Sequence, residues 1–127
     1  MFKKAIITAA LAGLLAAGSA MAQTAPAGVG DTAKGKTFVD SHGKSLYTFD
    51  KDSAGKSACN GHCAEVWPPF AATTGTASGS WTEITRADGS KQWAYKGKPL
   101  YTFTKDTAPG DIKGDGFLQG AWHLAQP

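Results

Sequence analysis

Within the stretch SACNGHCAEVWPPF, Ser57 to Phe70, three side chains stand close enough in sequence to do chemistry together: Cys59, His62 and Cys63. The two cysteines are the only ones in the chain. Residues four apart on one helical turn have Cα atoms about 6 Å apart, within the span of a disulfide. A structural staple is the first reading, and so short a ring predicts only about 2 kcal/mol of stabilisation. A second reading gives a soft ion such as Cu(I) two thiolates and the His62 imidazole. On a regular helix His62 points about 100° away from Cys63, so the three converge only if the Asn60-Gly61 turn is irregular. The third reading, thiol-disulfide exchange, asks for a thiol at a helix N-terminus, usually in C-x-x-C spacing, and no thioredoxin-like βαβ pattern surrounds this one.

The element that must hold these residues is a short helix over Cys59 to Val66, capped by Ser57 or Asn60 and stopped by Pro68-Pro69. Around it the chain repeats itself. GKSLYTFDKD, Gly43 to Asp52, returns as GKPLYTFTKD, Gly97 to Asp106, identical at eight of ten places, which points to an internal duplication. Each copy follows a β-like run and a glycine turn, TFVDSHGK in the first and KQWAYKGK in the second. Leu46 and Thr48 then face one side of a strand and Tyr47 and Phe49 the other, as do Leu100 and Thr102 against Tyr101 and Phe103. Apolar bulk on both faces predicts central strands. WTEIT at Trp81 to Thr85, an Asp88-Gly89 hairpin turn and KQWAY predict a β-meander from Trp81 to Phe103. The expected fold is mainly β: two pseudo-repeated antiparallel units sharing one aromatic core, with one short helix.

Sliding the copies by the offset of the two LYTF cores sets Lys113 against Cys59 and Phe117 against Cys63. The second copy therefore manages without a staple.

At the N-terminus, Lys3 and Lys4 precede an apolar run from Ala5 to Ala17 that closes on Ala20-Met21-Ala22, the pattern of a secretory signal spanning residues 1–22. Export to an oxidising compartment favours cysteine pairing. No cysteine stands at the expected cut, so lipid attachment there is not expected, and no later run approaches the roughly 20 apolar residues that span a bilayer. Residues 23–36, QTAPAGVGDTAKGK, read as a flexible leader, residues 37–127 as one β-rich domain with repeats at about 37–70 and 81–127, and residues 72–80 as an exposed connector.

Composition excludes more than it assigns. Two of the 13 basic residues lie in the signal, leaving 11 against ten acidic ones, with Arg86 the single arginine and the lysines scattered. A nucleic-acid binder would carry a basic stripe. The histidines at 42 and 123 have no Ser, Asp or Glu at a recognisable triad spacing, so no catalytic residue is assigned. The aspartates of DKD and of KDTAPGDIKGDG miss the EF-hand spacing, the first run having Ala54 and Gly61 where oxygen ligands are required, and read as Asx-turns. Most aromatics belong in a core. Trp93 and Tyr95, on one strand face, would form a stacking platform for a sugar, peptide or planar ligand if both were exposed.

Through YTFDKD and YTFTKD the sequence resembles the bacterial predicted-lipoprotein, or secreted-repeat, family known for a repeated Y-x-(F/W/Y)-x-x-D motif. Tyr47, Phe49 and Asp52 match it, as do Tyr101, Phe103 and Asp106. The likeness continues through GKSACNGHCAEVWPP, ADGSKQWAYKGKPLYTF and GDGFLQGAWHLAQP, nearly the whole chain beyond the signal. It implies a fold signature, in which the motif Asp accepts backbone N–H groups in the turn, and brings no established activity, cofactor or catalytic residue.

The resulting expectation is a small periplasmic or secreted monomer of non-enzymatic character, with no cofactor, braced by Cys59 and Cys63 and serving as a binding or cell-envelope module for an unnamed small molecule or envelope partner. The alternatives are a periplasmic copper or soft-metal carrier using Cys59, His62 and Cys63, and a thiol-disulfide redox protein.

Overall fold

A computed structural model describes residues 25–73 and 77–127. The expected signal peptide therefore lies outside the described residues. Seven strands and two short helices follow in the order β1 (Gly28–Thr32), β2 (Gly35–Val39), β3 (Tyr47–Phe49), α1 (His62–Val66), β4 (Trp81–Thr85), β5 (Lys91–Tyr95), β6 (Lys98–Pro99), α2 (Phe117–Gly120) and β7 (Trp122–Leu124). They form three small antiparallel sheets, β1-β2, β3-β7 and β4-β5-β6.

The two halves are not stacked side by side; they exchange segments. In the first half a ring of backbone hydrogen bonds runs from Phe38 N–H to Ala125, from Ala125 N–H to Leu46 and from Leu46 N–H to Phe38. In the second half the same ring joins Trp93 N–H to Phe70, Phe70 N–H to Leu100 and Leu100 N–H to Trp93. Each ring borrows one residue from the other half: Ala125 serves the first, Phe70 the second. At the centre Tyr47 and Tyr101 exchange both backbone hydrogen bonds, at 2.8 and 3.0 Å, and mark a local two-fold axis. The exchange gives the buried N–H groups of Leu46, Tyr47, Leu100 and Tyr101 backbone acceptors; leaving any one of them unpaired would cost about 1–3 kcal/mol.

Burial follows from this interlock. One cluster joins Phe38, Leu46, Trp81, Trp93, Leu100 and Ala125; the other joins Tyr47, Cys59, Trp67, Tyr101, Phe103 and Trp122. Alternation along each LYTF core sends Leu to the first cluster and Tyr and Phe to the second. The duplicated strands are thus central, packed on both faces.

Three expectations change. The leader does not begin as a flexible segment at the domain edge: Gly28 to Lys36 folds into β1 and the start of β2, with Val29 opposite Phe38 and Gly30 opposite Thr37. Gly30 leaves room for Val39, whose methyl would lie 3.1 Å from a Cβ there, so small residues here serve close packing. The β4-β5 connection is a three-residue loop, closed by Arg86 N–H to Ser90 and Gly89 N–H to Arg86, with Gly89 at φ 89°. Arg86 prolongs the ladder by one residue, so the Asp88-Gly89 pair closes a bulged hairpin instead of a two-residue turn. Finally, α2 is a second helical turn that the pattern did not announce. Leu118 and Gln119 both take left-handed values, φ 55° and 58°, between Gly116 and Gly120.

Candidate functional site

The motif residues build the centre of the molecule by crossing over. Tyr47 Oη donates to Asp106 Oδ2 at 2.6 Å, and Tyr101 Oη donates to Asp52 Oδ2 at 2.7 Å. Each tyrosine of one repeat thus meets the aspartate of the other. The second carboxylate oxygen holds a backbone turn: Asp52 accepts Ala58 N–H at 2.6 Å and Asp106 accepts Lys113 N–H at 2.9 Å. Burial raises both carboxyls above the usual carboxylate range; the hydrogen bonds from these partners work the other way. Both phenols are also raised above their ordinary value of 10, first by burial.

Behind Tyr101 the network ends on a buried cation. Arg86 donates to Ser57 Oγ at 3.0 Å, Gln92 Oε1 at 2.8 Å, the Cys59 carbonyl at 2.6 Å and Asn60 Oδ1 at 3.4 Å, all neutral oxygens. Because Tyr101 donates to Asp52, the 2.7 Å contact between Ser57 and Tyr101 must have Ser57 as donor. Hydrogen bonds therefore run in one direction from Arg86 through Ser57 and Tyr101 to Asp52, an arrangement in which each bond polarises the next. Gln92 continues the other branch by donating to the Leu100 carbonyl at 2.7 Å. Sequence reading recognised Arg86 only as the single arginine; the β4-β5 ladder carries it inward, a contact invisible in spacing.

The CNGHC segment stands against this network. Cys59 and Cys63 form a disulfide with Cα atoms 5.2 Å apart, Cys59 buried in the second aromatic cluster and its carbonyl taken by Arg86. α1 begins at His62, later than expected, because Gly61 adopts φ 58° and turns the chain before the helix starts. His62 lies away from the sulfurs on an exposed face, with Nδ1 3.4 Å from Glu65. In this oxidised form both sulfurs are committed to each other, so a Cu(I) ion or an exchanging thiol would require reduction first. Among the described residues, no three His, Cys, Asp or Glu side chains gather as a metal set.

The structure also corrects the alignment of the halves. The carboxylate turn spans Asp52 to Ala58 in one and Asp106 to Lys113 in the other, one residue longer. Gly114, not Lys113, therefore corresponds to Cys59, and Leu118, not Phe117, to Cys63.

Trp93 and Tyr95 do not make an exposed platform. Trp93 is 1% exposed, and Tyr95 packs its ring on Phe38 and Trp81. Strand alternation puts both on the face that covers Leu46 and Leu100, and that face is the core. Tyr95 does retain one edge toward solvent, at a groove of about 450 Å³ lined by Thr48, Asp50, Lys96, Lys98 and His123, among others. A second depression of about 280 Å³ adjoins it and shares Thr48, Asp50, Lys96 and Lys98. Pairing of β3 with β7 brings His123 beside Thr48, and His123 Nε2 lies 2.9 Å from Asp50 Oδ2. Lys96 occupies the first position of the Lys96-Gly97 turn at φ 52°, with its ammonium 5.5 Å from the centre of the Tyr95 ring. The left-handed conformation there is ordinarily left to Asn, Asp or Gly. In the sequence His123 has no triad partner and Lys96 only a turn position; pairing of β3 with β7 and the turn between β5 and β6 bring the two to one groove.

The chain belongs to a family described as a secreted repeat of unknown function, whose family model matches twice, over residues 28–71 and 82–126. The first match begins at β1 and so takes in the segment expected to be a leader. No curated protein and no solved structure matches the chain. Among the described residues, no helix is long and apolar enough to cross a membrane.

Proposed function

We propose that this secreted repeat is a non-enzymatic binding module, exported through the signal at residues 1–22, which takes an anionic glycan of the cell envelope into the groove above β3. The observation that carries the reading is Lys96. A long cationic residue held in a left-handed turn costs about 1–2 kcal/mol; Leu118 and Gln119 in α2 carry the same strain, but of the three only Lys96 carries it, together with a charge, at the rim of the groove. Lys96 and Lys98 supply two ammonium groups, Thr48 a hydroxyl and Asp50 with His123 a donor-acceptor pair, which suits a hydroxylated ligand carrying negative charge. The Cys59–Cys63 disulfide serves this reading as a brace of the domain that carries the groove.

Titration of the mature protein with a short oligogalacturonate and with a phosphorylated glycan, followed by amide chemical shifts, tests it. Saturable shifts at Thr48, Lys96 and His123 are expected with at least one of them. The Lys96→Ala/Lys98→Ala variant should weaken binding about tenfold or more, ~1.4 kcal/mol per decade. No saturable shift in the groove with either glycan, or undiminished binding by the variant, sinks the proposal.

A further inference from the structure

The second aromatic cluster is ordered as a column. Phe49, Trp122, Trp67 and Phe103 stack in that sequence, with ring centres 4.2, 3.7 and 4.0 Å apart and planes inclined by 12°, 3° and 18°. Offset or edge-on contacts are the usual aromatic preference, so two parallel indoles in van der Waals contact are a specific construction. Each indole has a tyrosine edge-on: Tyr101 at 5.2 Å from Trp122 and Tyr47 at 5.3 Å from Trp67. Both phenols end on carboxylates of the opposite repeat. Trp122 Nε1–H, in contrast, is buried with no acceptor.

These features fit one chemistry. Face-to-face contact lets two indoles share a positive charge, which makes removal of an electron from the pair easier than from either ring alone. An indole cation normally settles by losing its N–H proton to a base, and Trp122 has none. A phenol whose proton already points at a carboxylate gives up electron and proton together. We propose that the column is a one-electron relay, in which an oxidising equivalent taken up by the indoles ends on a core tyrosine whose proton passes to the aspartate of the other repeat.

Written as a balanced step, an outer-sphere one-electron oxidant takes an electron from the indole pair and leaves a Trp122 cation radical. Tyr101 then returns one electron to Trp122 and its hydroxyl proton to Asp52, giving neutral Trp122, a neutral Tyr101 phenoxyl radical and protonated Asp52. Trp67, Tyr47 and Asp106 repeat the step on the other side of the two-fold axis. The raised proton affinity that burial gives Asp52 and Asp106 favours them as acceptors. Entry is by Phe117, 44% exposed and 5.7 Å edge-on to Trp67.

The test is flash oxidation of the disulfide-bonded mature protein by photogenerated tris(bipyridine)ruthenium(III), with a cobalt(III) ammine as terminal acceptor, and electron paramagnetic resonance of the frozen product. A neutral tyrosyl signal is expected, unchanged in Tyr95→Phe, which removes the one tyrosine outside the relay. Tyr47→Phe/Tyr101→Phe should lose it and show an indole cation signal in its place. Asp52→Asn/Asp106→Asn should move the signal from tyrosine toward indole. Loss of the signal in Tyr95→Phe, or its survival in the Tyr47→Phe/Tyr101→Phe variant, overturns the proposal. Should the double variants fail to fold, the Tyr95→Phe protein decides alone.

Discussion

Cys59 and Gly114 occupy corresponding places in the two halves, and they solve the same packing problem in opposite ways. In the first half the residue after the carboxylate turn carries a side chain, ties it to Cys63 and holds α1 as a right-handed turn. In the second half it carries none: a Cβ on Gly114 would fall 2.6 Å from Trp67 Cη2, 2.9 Å from Cζ3 and 3.0 Å from Phe103. There the following turn is left-handed between two glycines, and Leu118, the counterpart of Cys63, is exposed. The halves teach that the family motif fixes the tyrosine, phenylalanine and aspartate, whereas the turn behind them is free to be stapled or to be emptied.

Breaking this comparison is most direct at the two turn positions. Gly114→Ala must displace an indole ring within a packed column and should cost about 3 kcal/mol. Cys59→Ala/Cys63→Ala removes a short cross-link and should cost about 2 kcal/mol. Urea midpoints at constant m-value read both. A Gly114→Ala protein more stable than the cysteine variant would show that the second turn yields freely and that the contrast is not one of space.

The crossing of the motif is sharpened by double-mutant cycles. Tyr47→Phe with Asp106→Asn, and Tyr101→Phe with Asp52→Asn, should each couple by about 1.5 kcal/mol, as expected for hydrogen bonds to charged groups. The cycle within one repeat, Tyr47→Phe with Asp52→Asn, should couple by less than about 0.5 kcal/mol. Equal coupling within and between repeats would contradict the exchange.

The smallest effect is alkaline. Both phenols sit above their ordinary value of 10 in the native protein, so the unfolded chain loses its tyrosine protons first. The native state then binds more protons, and stability that is full below pH 10 falls as pH rises, by just under about 1 kcal/mol per tyrosine at pH 10.5. Melting temperature against pH, compared between the native protein and Tyr47→Phe/Tyr101→Phe, should show a steeper alkaline decline in the former. Parallel curves would remove the phenols from the balance.

What the sequence made legible was local. The duplicated GK-LYTF-KD core, the strand alternation of Leu46 against Tyr47, and the four-residue spacing of Cys59 and Cys63 all act within one or two turns of chain, where geometry follows residue order. What it concealed was partnership across the duplication. Nothing in YTFDKD says that Tyr47 will meet Asp106 instead of Asp52, because two equal copies offer equal local partners and only the closed hydrogen-bond rings decide between them. The same ambiguity hid His123 from the groove. The glycines of GVGDT misled for a different reason: small residues suit a loose end and a close-packed strand equally, and Val39 on the facing strand settles which. Arg86 escaped because a guanidinium surrounded by neutral oxygens leaves no charge pattern to read.

The exchange of segments also has a bearing on timing. The segment that completes the first half's backbone ring, β7 at Trp122–Leu124 with Ala125 after it, lies far along the chain from Phe38 and Leu46. Until that segment arrives, Phe38 and Leu46 lack their partner, and no early half can close upon itself. Non-local pairing of this kind slows folding. Each half is thus completed only by a segment of the other, so neither is a folding unit by itself and the two aromatic clusters assemble in one cooperative step.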